Sequence, residues 1–194
     1  MATNAAAAEQ PGGDAAPGLV DPDGALVTAP AATPEAQAAR ARRTPVDVAV
    51  GVLVRLDPAT GAEREFLLTS RPPGKAYAGY WEYPGGKVEA GESVAQALAR
   101  ELHEELGIAV DPTDVIAWRT LLMDYPHARV RLNFCKLHRW TGEFEMREGQ
   151  QLAWQGLPVQ VLPVLPGTIP VLQWLAEERG HVGPTHGVAD PPPL

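Results

Sequence analysis

Residues 85–108 read GGKVEAGESVAQALARELHEELGI and join a double-glycine turn to the clearest helical pattern in the chain. Ser93 followed by Gln96 forms a capping box, and Gly107 stands where a helix-ending glycine belongs. These signals predict a capped helix over 93–106. Its apolar residues recur at helical spacing and predict one buried stripe, made of Val94, Ala95, Leu98, Leu102 and Leu106.

Three acids lie on this predicted helix. Glu101, Glu104 and Glu105 are spaced i, i+3, i+4, so their carboxylates share one face. Like charges at this spacing weaken a helix by about 0.2–0.5 kcal/mol per pair, and Arg100 is the only Lys or Arg between 93 and 107. Hard cations such as Mg²⁺ bind carboxylate oxygens together with phosphate and water. On their own, the three glutamates fit either a solvated acidic face or a divalent-metal site.

The residues around the three acids complete a longer pattern. Its fixed positions, in order, are Gly86, Glu92, Arg100, Glu101, Leu102, Glu104, Glu105, Gly107 and Ile108. This is a complete Nudix box, and the chain resembles the Nudix hydrolase family. The resemblance implies that the three helical glutamates bind metal, and that one of them or another glutamate activates the attacking water. It also implies that Glu92 and Arg100 brace the loop, while the Gly85-Gly86 turn lets the backbone approach a ligand or metal.

Within that family the chain is most similar to the MutT branch, which hydrolyses oxidised guanine nucleoside triphosphates to the monophosphate and pyrophosphate. The similarity includes EYPGGKVE at 82–89 and REGQ at 147–150. It implies that Arg71 contacts the substrate phosphates and that Glu148 is a further metal ligand or water-activating group. Lys87 is a second phosphate candidate, although it also fits an ordinary surface lysine.

Two positions depart from the MutT pattern. Thr168 stands where the family has a base-reading asparagine, and a hydroxyl offers fewer directed contacts than a planar amide. Arg129 lies one place later than the family's arginine after Tyr125-Pro126. We expect both residues to contact the substrate, together with Tyr83. Other aromatics fit either base stacking or the core, and we favour the core for Trp81.

The resemblance implies Mg²⁺ as cofactor, with Mn²⁺ as an alternative, and a small-molecule nucleotide as substrate. Hydrolysis of a dinucleotide, ADP-ribose or a pterin triphosphate is the alternative reading. A non-catalytic binding module is a third, but such modules lose box glutamates, and Glu92, Glu101, Glu104 and Glu105 are all present.

The rest of the chain predicts an α/β (α+β) fold, a mixed β-sheet sandwiched between α-helices. Alternating valines predict a strand over 46–55, which forms a hairpin with 65–70. Further short or full strands are predicted over 81–86, 115–123, 129–140 and 152–155, and a second helix over 168–179.

Composition divides the chain into three parts. Residues 1–44 and 181–194 are rich in Ala, Pro and Gly, which predicts disordered tails around a Nudix domain over 45–180. The tails carry six of the 24 acidic residues, so residues 40–180 hold 16 basic and 18 acidic residues and a net charge of −2. A chain with this charge lacks the basic surface that nucleic acid or an anionic membrane requires.

One cysteine, Cys135, excludes a disulfide framework. We expect a cytoplasmic monomer.

Overall fold

The structure is a computed structural model, and it describes residue 33 and residues 42–75, 77–124 and 129–187. Most of the predicted N-terminal tail, the segment 125–128 with Tyr125 and His127, and residues 188–194 lie outside the described residues. The elements, in chain order, are β1 (Val46–Leu56), β2 (Glu63–Ser70), β3 (Trp81–Glu82), β4 (Gly85–Lys87), α1 (Val94–Leu106), β5 (Ile116–Asp124), β6 (Arg129–Leu137), β7 (Leu152–Gln155) and α2 (Ile169–Arg179).

Strand β1 organises the sheet. Along one edge it pairs in parallel with β6, from Val46 opposite Val130 to Leu53 opposite Leu137. Strand β5 then pairs antiparallel with β6, while β3 and β7 both pair antiparallel with β2. The result is a mixed sheet with the order β3-β2-β1-β6-β5, which confirms the predicted fold class.

The other edge of β1 is shared between two strands. Its first half pairs with β4, with Val48 opposite Lys87, and its second half pairs with β2, with Val54 opposite Phe66. The change occurs near Gly51, whose N–H donates a 2.8 Å hydrogen bond to the Pro84 carbonyl. Because β2 and β4 diverge there, the sheet opens beside the N-terminal half of β1.

Two apolar layers cover the faces of the sheet. Helix α1 packs on one face through Ala97, Leu98, Leu102 and Leu106, all fully buried. Helix α2 packs on the other through the buried residues Val171, Leu172, Leu175 and Ala176, and half-buried Trp174 packs against the same core. Both helices lie within one or two residues of their predicted bounds. The buried stripe on α1 differs from the prediction, because Ala97 is buried while Val94 and Ala95 are only half-buried; Val94 still packs against the core.

The end of the described chain runs beside the segment before α2. The Val159 N–H donates a 2.8 Å hydrogen bond to the Thr185 carbonyl, and Val159 pairs with His186. Residues 181–187, which their composition predicts to be part of a tail, therefore contact the domain in this structure. Among the described residues, no helix is long and apolar enough to cross a bilayer.

Candidate active site

A cavity of about 590 Å³ opens where β2 and β4 diverge. That volume lies within the range of small-molecule sites. Its wall is apolar on the β1 and β6 side, where Val48, Val50, Leu132 and Phe134 line it. The charged residues that line it are Arg71, Lys75, Glu82, Lys87, Glu105 and Glu148.

Helix α1 presents its acids to strand β4. The Gly85 N–H donates a 3.2 Å hydrogen bond to Oε2 of Glu105. The Glu101 carboxylate lies directly against Gly86, since a Cβ at that position would be 2.2 Å from the carboxyl carbon. Glu104 points further outward, with its side chain 57% exposed. The double glycine thus allows the acidic face of α1 to approach the strand closely.

Arg100 links the acids to the loop before α1. Its guanidinium donates to Glu92 Oε1 at 2.7 Å, to Glu101 Oε1 at 2.8 Å and to Glu104 Oε2 at 3.2 Å. It also donates to the Lys87 carbonyl at 3.0 Å. Its hydrogen bonds are the main cause that lowers the pKa of Glu92. These contacts are those that a bracing role for Arg100 and Glu92 would require.

The surroundings of Glu105 disfavour the ionised form of its carboxyl group. Burial raises its pKa to about 8, and the charges of Glu148 and Glu101 act in the same direction. The hydrogen bond from Gly85 and the charge of Lys75 only partly oppose this. Ionised Glu105 therefore lacks a full positive counterpart among the described side chains.

Glu148 reaches the same cavity from the loop before β7. Its Oε2 lies 2.7 Å from Lys75 Nζ, and its N–H donates a 2.9 Å hydrogen bond to Gln150 Oε1. Gln150 is buried and its Nε2 donates to the Glu105 carbonyl at 2.8 Å. No sequence pattern predicts a role for Lys75 or Gln150. A buried glutamine beside a proposed ligand is recognisable only once the loop is folded against α1.

Arg71 lines the cavity, but its guanidinium is paired. Its Nη1 donates to both carboxylate oxygens of Glu82 at 2.9 Å, and its side chain is only 11% exposed. Burial raises the pKa of Glu82 even though Arg71 opposes that effect. If Arg71 contacts a substrate phosphate as predicted, it does so with a guanidinium that already donates to Glu82.

The other predicted substrate contacts differ in position. Lys87 is exposed and Thr168 is buried, and both line the cavity. Tyr83 lines it too, but its ring packs in the core 5.9 Å from the Phe66 ring, and Trp81 is buried as expected. Arg129 begins β6 and is not among the described residues that line the cavity, so its contact remains a prediction.

A metal site is not preassembled in the described part of the chain, where no group of three or more His, Cys, Asp or Glu side chains is arranged to hold an ion. Arg100 and Lys75 instead hold the carboxylates. The donor set nevertheless fits a hard divalent cation, because it consists of carboxylates beside the two glycines of β4. One of these carboxylates, Glu105, is largely buried without a full positive counterpart.

Comparison with known proteins decides the family. Residues 45–175 match the family model of the NUDIX domain. The chain belongs to the Nudix family. Over 112 residues it is 34% identical to an 8-oxo-dGTP diphosphatase of Escherichia coli K12, covering 58% of this chain and 81% of the relative. Over 117 residues it is 38% identical to a CTP pyrophosphohydrolase of the same organism, covering 56% and 80%.

Solved structures agree with this assignment. The solution structure of the E. coli ORF135 protein has a TM-score of 0.54 and 29% identity, and the match covers 70% of this chain and 92% of that one. A MutT NUDIX hydrolase from Burkholderia pseudomallei has a TM-score of 0.55 at 24% identity, covering 68% and 98%, and shares the fold. The Nudix domain and these relatives identify the protein as a pyrophosphohydrolase.

Proposed function

We propose that this Nudix protein hydrolyses a nucleoside triphosphate to the monophosphate and pyrophosphate with Mg²⁺, for which Mn²⁺ can substitute, and that 8-oxo-dGTP is its preferred substrate. The observation that carries the proposal is the approach of Glu101 and Glu105 to Gly86 and Gly85 beside the cavity. The named 8-oxo-dGTP diphosphatases among its relatives support the choice of substrate.

Five groups would hold the cation: the carboxylates of Glu101, Glu104, Glu105 and Glu148, and the Gly85 backbone. When bound, a divalent cation supplies charge neutralisation and polarises the phosphoryl group towards attack. Carboxylates are the protein ligands that Mg²⁺ prefers, and it commonly shares them with substrate phosphates. Burial of Glu105 near Glu101 and Glu148 supports this assignment, because a cation would offset that concentration of negative charge.

The chain's own residues then position the phosphates and remove a proton from the attacking water. Lys87 and Lys75 line the cavity as point charges for phosphate oxygens. Of the four proposed carboxylate ligands, Glu105 and Glu148 line the cavity, and we assign the proton acceptor to this pair. Attack at phosphorus in line with the leaving group needs little covalent chemistry from the protein, so positioning and charge carry the reaction.

The base would occupy the apolar part of the cavity, between Phe134, Val48, Val50 and Leu132. Thr168, the residue before α2, lies at the edge of this part, with Oγ1 3.5 Å from the Trp81 carbonyl. Strong discrimination between related bases requires directed polar contacts, and Thr168 offers one hydroxyl in place of an amide. A pyrimidine triphosphate is therefore the second candidate substrate, supported by the CTP pyrophosphohydrolase among the relatives.

A substrate panel tests this proposal. Purified protein with Mg²⁺ is assayed against 8-oxo-dGTP, dGTP, CTP and ADP-ribose, and products are separated by chromatography. We expect the highest kcat/KM for 8-oxo-dGTP, with pyrophosphate and the monophosphate as products. A higher value for CTP would move the assignment to the second candidate. Faster turnover of ADP-ribose than of any triphosphate would contradict both.

We also propose that residues 45–180 form the catalytic domain between two tails, and that it acts as a monomer in the cytoplasm. A net charge of −2 over 40–180 supports small-molecule nucleotides as substrates, rather than nucleic acid.

A further inference from the structure

One ion pair joins two loops across the cavity. Lys75, in the loop after β2, places Nζ 2.7 Å from Oε2 of Glu148, in the loop before β7. The two side chains are 50% and 39% exposed, and both residues line the cavity. An ion pair with this exposure contributes little to folding stability and breaks readily. Its position at the site is therefore not explained by stabilisation of the fold.

Lys75 also acts on other acids of the site. Its charge lowers the pKa of Glu82 and of Glu105, so it lies within the electrostatic reach of both carboxyls. The chain has only three lysines, and two of them, Lys75 and Lys87, line this cavity. Lys75 thus lies among the carboxylates that we assign to a divalent cation.

The neighbouring contacts favour movement of the Lys75 side chain. The backbone of Glu148 is fixed by its N–H bond to buried Gln150, so only side chains need to turn when Glu148 changes partner. Arg71 differs, because both oxygens of Glu82 hold its buried guanidinium. A lysine ammonium on a flexible stem can donate to carboxylate or phosphate oxygens alike.

Resting on the proposed function, we propose that Lys75 exchanges partners. It neutralises Glu148 in the nucleotide-free protein, and it binds a phosphate of the nucleotide once Glu148 turns to the divalent cation. Lys75 is then a substrate-binding residue that also competes for a metal ligand. The charge of Lys75 is therefore predicted to weaken binding of the divalent cation and to strengthen binding of the nucleotide.

The test replaces Lys75 by an uncharged side chain of similar length, K75M. In the absence of nucleotide, Mn²⁺ binding is measured by electron paramagnetic resonance, and we expect a Kd about two- to fivefold lower than in the wild type. With Mg²⁺, we expect KM for the nucleotide to rise about tenfold or more, because a charge-assisted contact is lost. We expect kcat to change less than KM.

Three variants complete the design. R139M removes an exposed cation that pairs with Asp114 and does not line the cavity, and it should change neither affinity. K75R keeps the charge and should retain most of the wild-type KM. In an E148Q background, K75M should no longer tighten Mn²⁺ binding, because Lys75 acts on the metal through Glu148.

Unchanged or weaker Mn²⁺ binding by K75M would overturn the exchange, and so would an unchanged KM. Failure of the proposed function is distinguishable, because the wild-type protein would then neither bind Mn²⁺ nor release pyrophosphate. If the wild type binds Mn²⁺ and releases pyrophosphate, and K75M has the same Kd and KM, only the proposed role of Lys75 is overturned.

Discussion

At the scale of single residues, the ionisation of Glu105 connects metal binding to pH. Burial and the charges of Glu148 and Glu101 raise its pKa to about 8. The pKa of a glutamate in the unfolded chain is about 4.3. Between these values the native state holds a proton that the unfolded state has lost. The free energy of unfolding of the metal-free protein therefore falls as pH rises through this window.

We expect the metal-free protein to be less stable at pH 8 than at pH 5.5 by about 3 kcal/mol, and E105Q to remove most of that difference. Denaturant unfolding in the presence of a chelator measures both. Mg²⁺ should stabilise the wild type more at pH 8 than at pH 5.5, because fewer molecules then carry the Glu105 proton that the cation must displace. Equal pH dependence in the wild type and E105Q would contradict the assignment. The lowered pKa values of Glu63, Glu92 and Glu178 act below this window.

Gly86 gives a second prediction at this scale. A Cβ there would lie 2.2 Å from the Glu101 carboxyl carbon, so G86A would displace the end of a flexible side chain and leave the backbone in place. We expect kcat to fall by about tenfold or more, since misplacement of a site group by about 1 Å is costly, with little change in melting temperature. The control is G156A, where the nearest atom is 4.0 Å from the added Cβ. Wild-type activity in G86A would show that the close approach of Glu101 is unimportant.

The sequence allowed some residues of the site to be predicted and others not. The spacing of Glu101, Glu104 and Glu105 on one helix was sufficient to group them. The pairing of Lys75 with Glu148, 73 positions apart, depends on how two loops fold, and no local pattern encodes it. Tyr83 lines the cavity while its ring packs on Phe66, so its contact with substrate stays a prediction.

At the scale of elements, the loop 145–150 closes the C-terminal end of α1. The last carbonyls of a helix lack partners within the helix, and this loop supplies them. Arg147 Nη1 donates to the His103 carbonyl at 2.8 Å, Gln150 Nε2 to the Glu105 carbonyl at 2.8 Å, and the Glu145 N–H to the Leu106 carbonyl at 2.8 Å. The loop that carries Glu148 is thereby fixed to the helix that carries Glu105.

Replacement of Gln150 by alanine tests this connection. Q150A would remove the acceptor of the Glu148 N–H and one of two donors to the Glu105 carbonyl, which also accepts from the Arg147 N–H at 3.2 Å. We expect this to cost about 1–3 kcal/mol of unfolding free energy. We also expect kcat to fall by about tenfold, since Glu148 is no longer held. The control is Q160A, an exposed glutamine that bonds the nearby Pro158 carbonyl. If Q150A lost stability but kept full turnover, the loop would serve folding alone.

Local patterns predicted most elements to within two residues, including the capped helix and the hairpin of β1 and β2. They did not predict which strands pair over long distances. The parallel pairing of β1 with β6 joins residues more than 80 positions apart, and the division of one β1 edge between β2 and β4 depends on three strands together. The cavity arises from that division.

At the scale of the whole molecule, the fold places an acidic helix on one face of the sheet and an apolar wall at the opening of the same sheet. Helix α1 brings the carboxylates, β4 allows their close approach, and β1 with β6 supplies a surface that a base can contact. This arrangement supports the proposal that the phosphate chain and the nucleoside of a substrate take separate places in one cavity.

The central claim is that the acids of α1 hold a divalent cation for hydrolysis, and the turnover of E104Q tests it most directly. Glu104 is exposed and lies outside the buried stripe of α1. We therefore expect E104Q to keep the wild-type melting temperature while kcat with Mg²⁺ falls by at least about 100-fold. E177Q, an exposed glutamate on α2, should retain full activity. Wild-type turnover by folded E104Q would contradict the account.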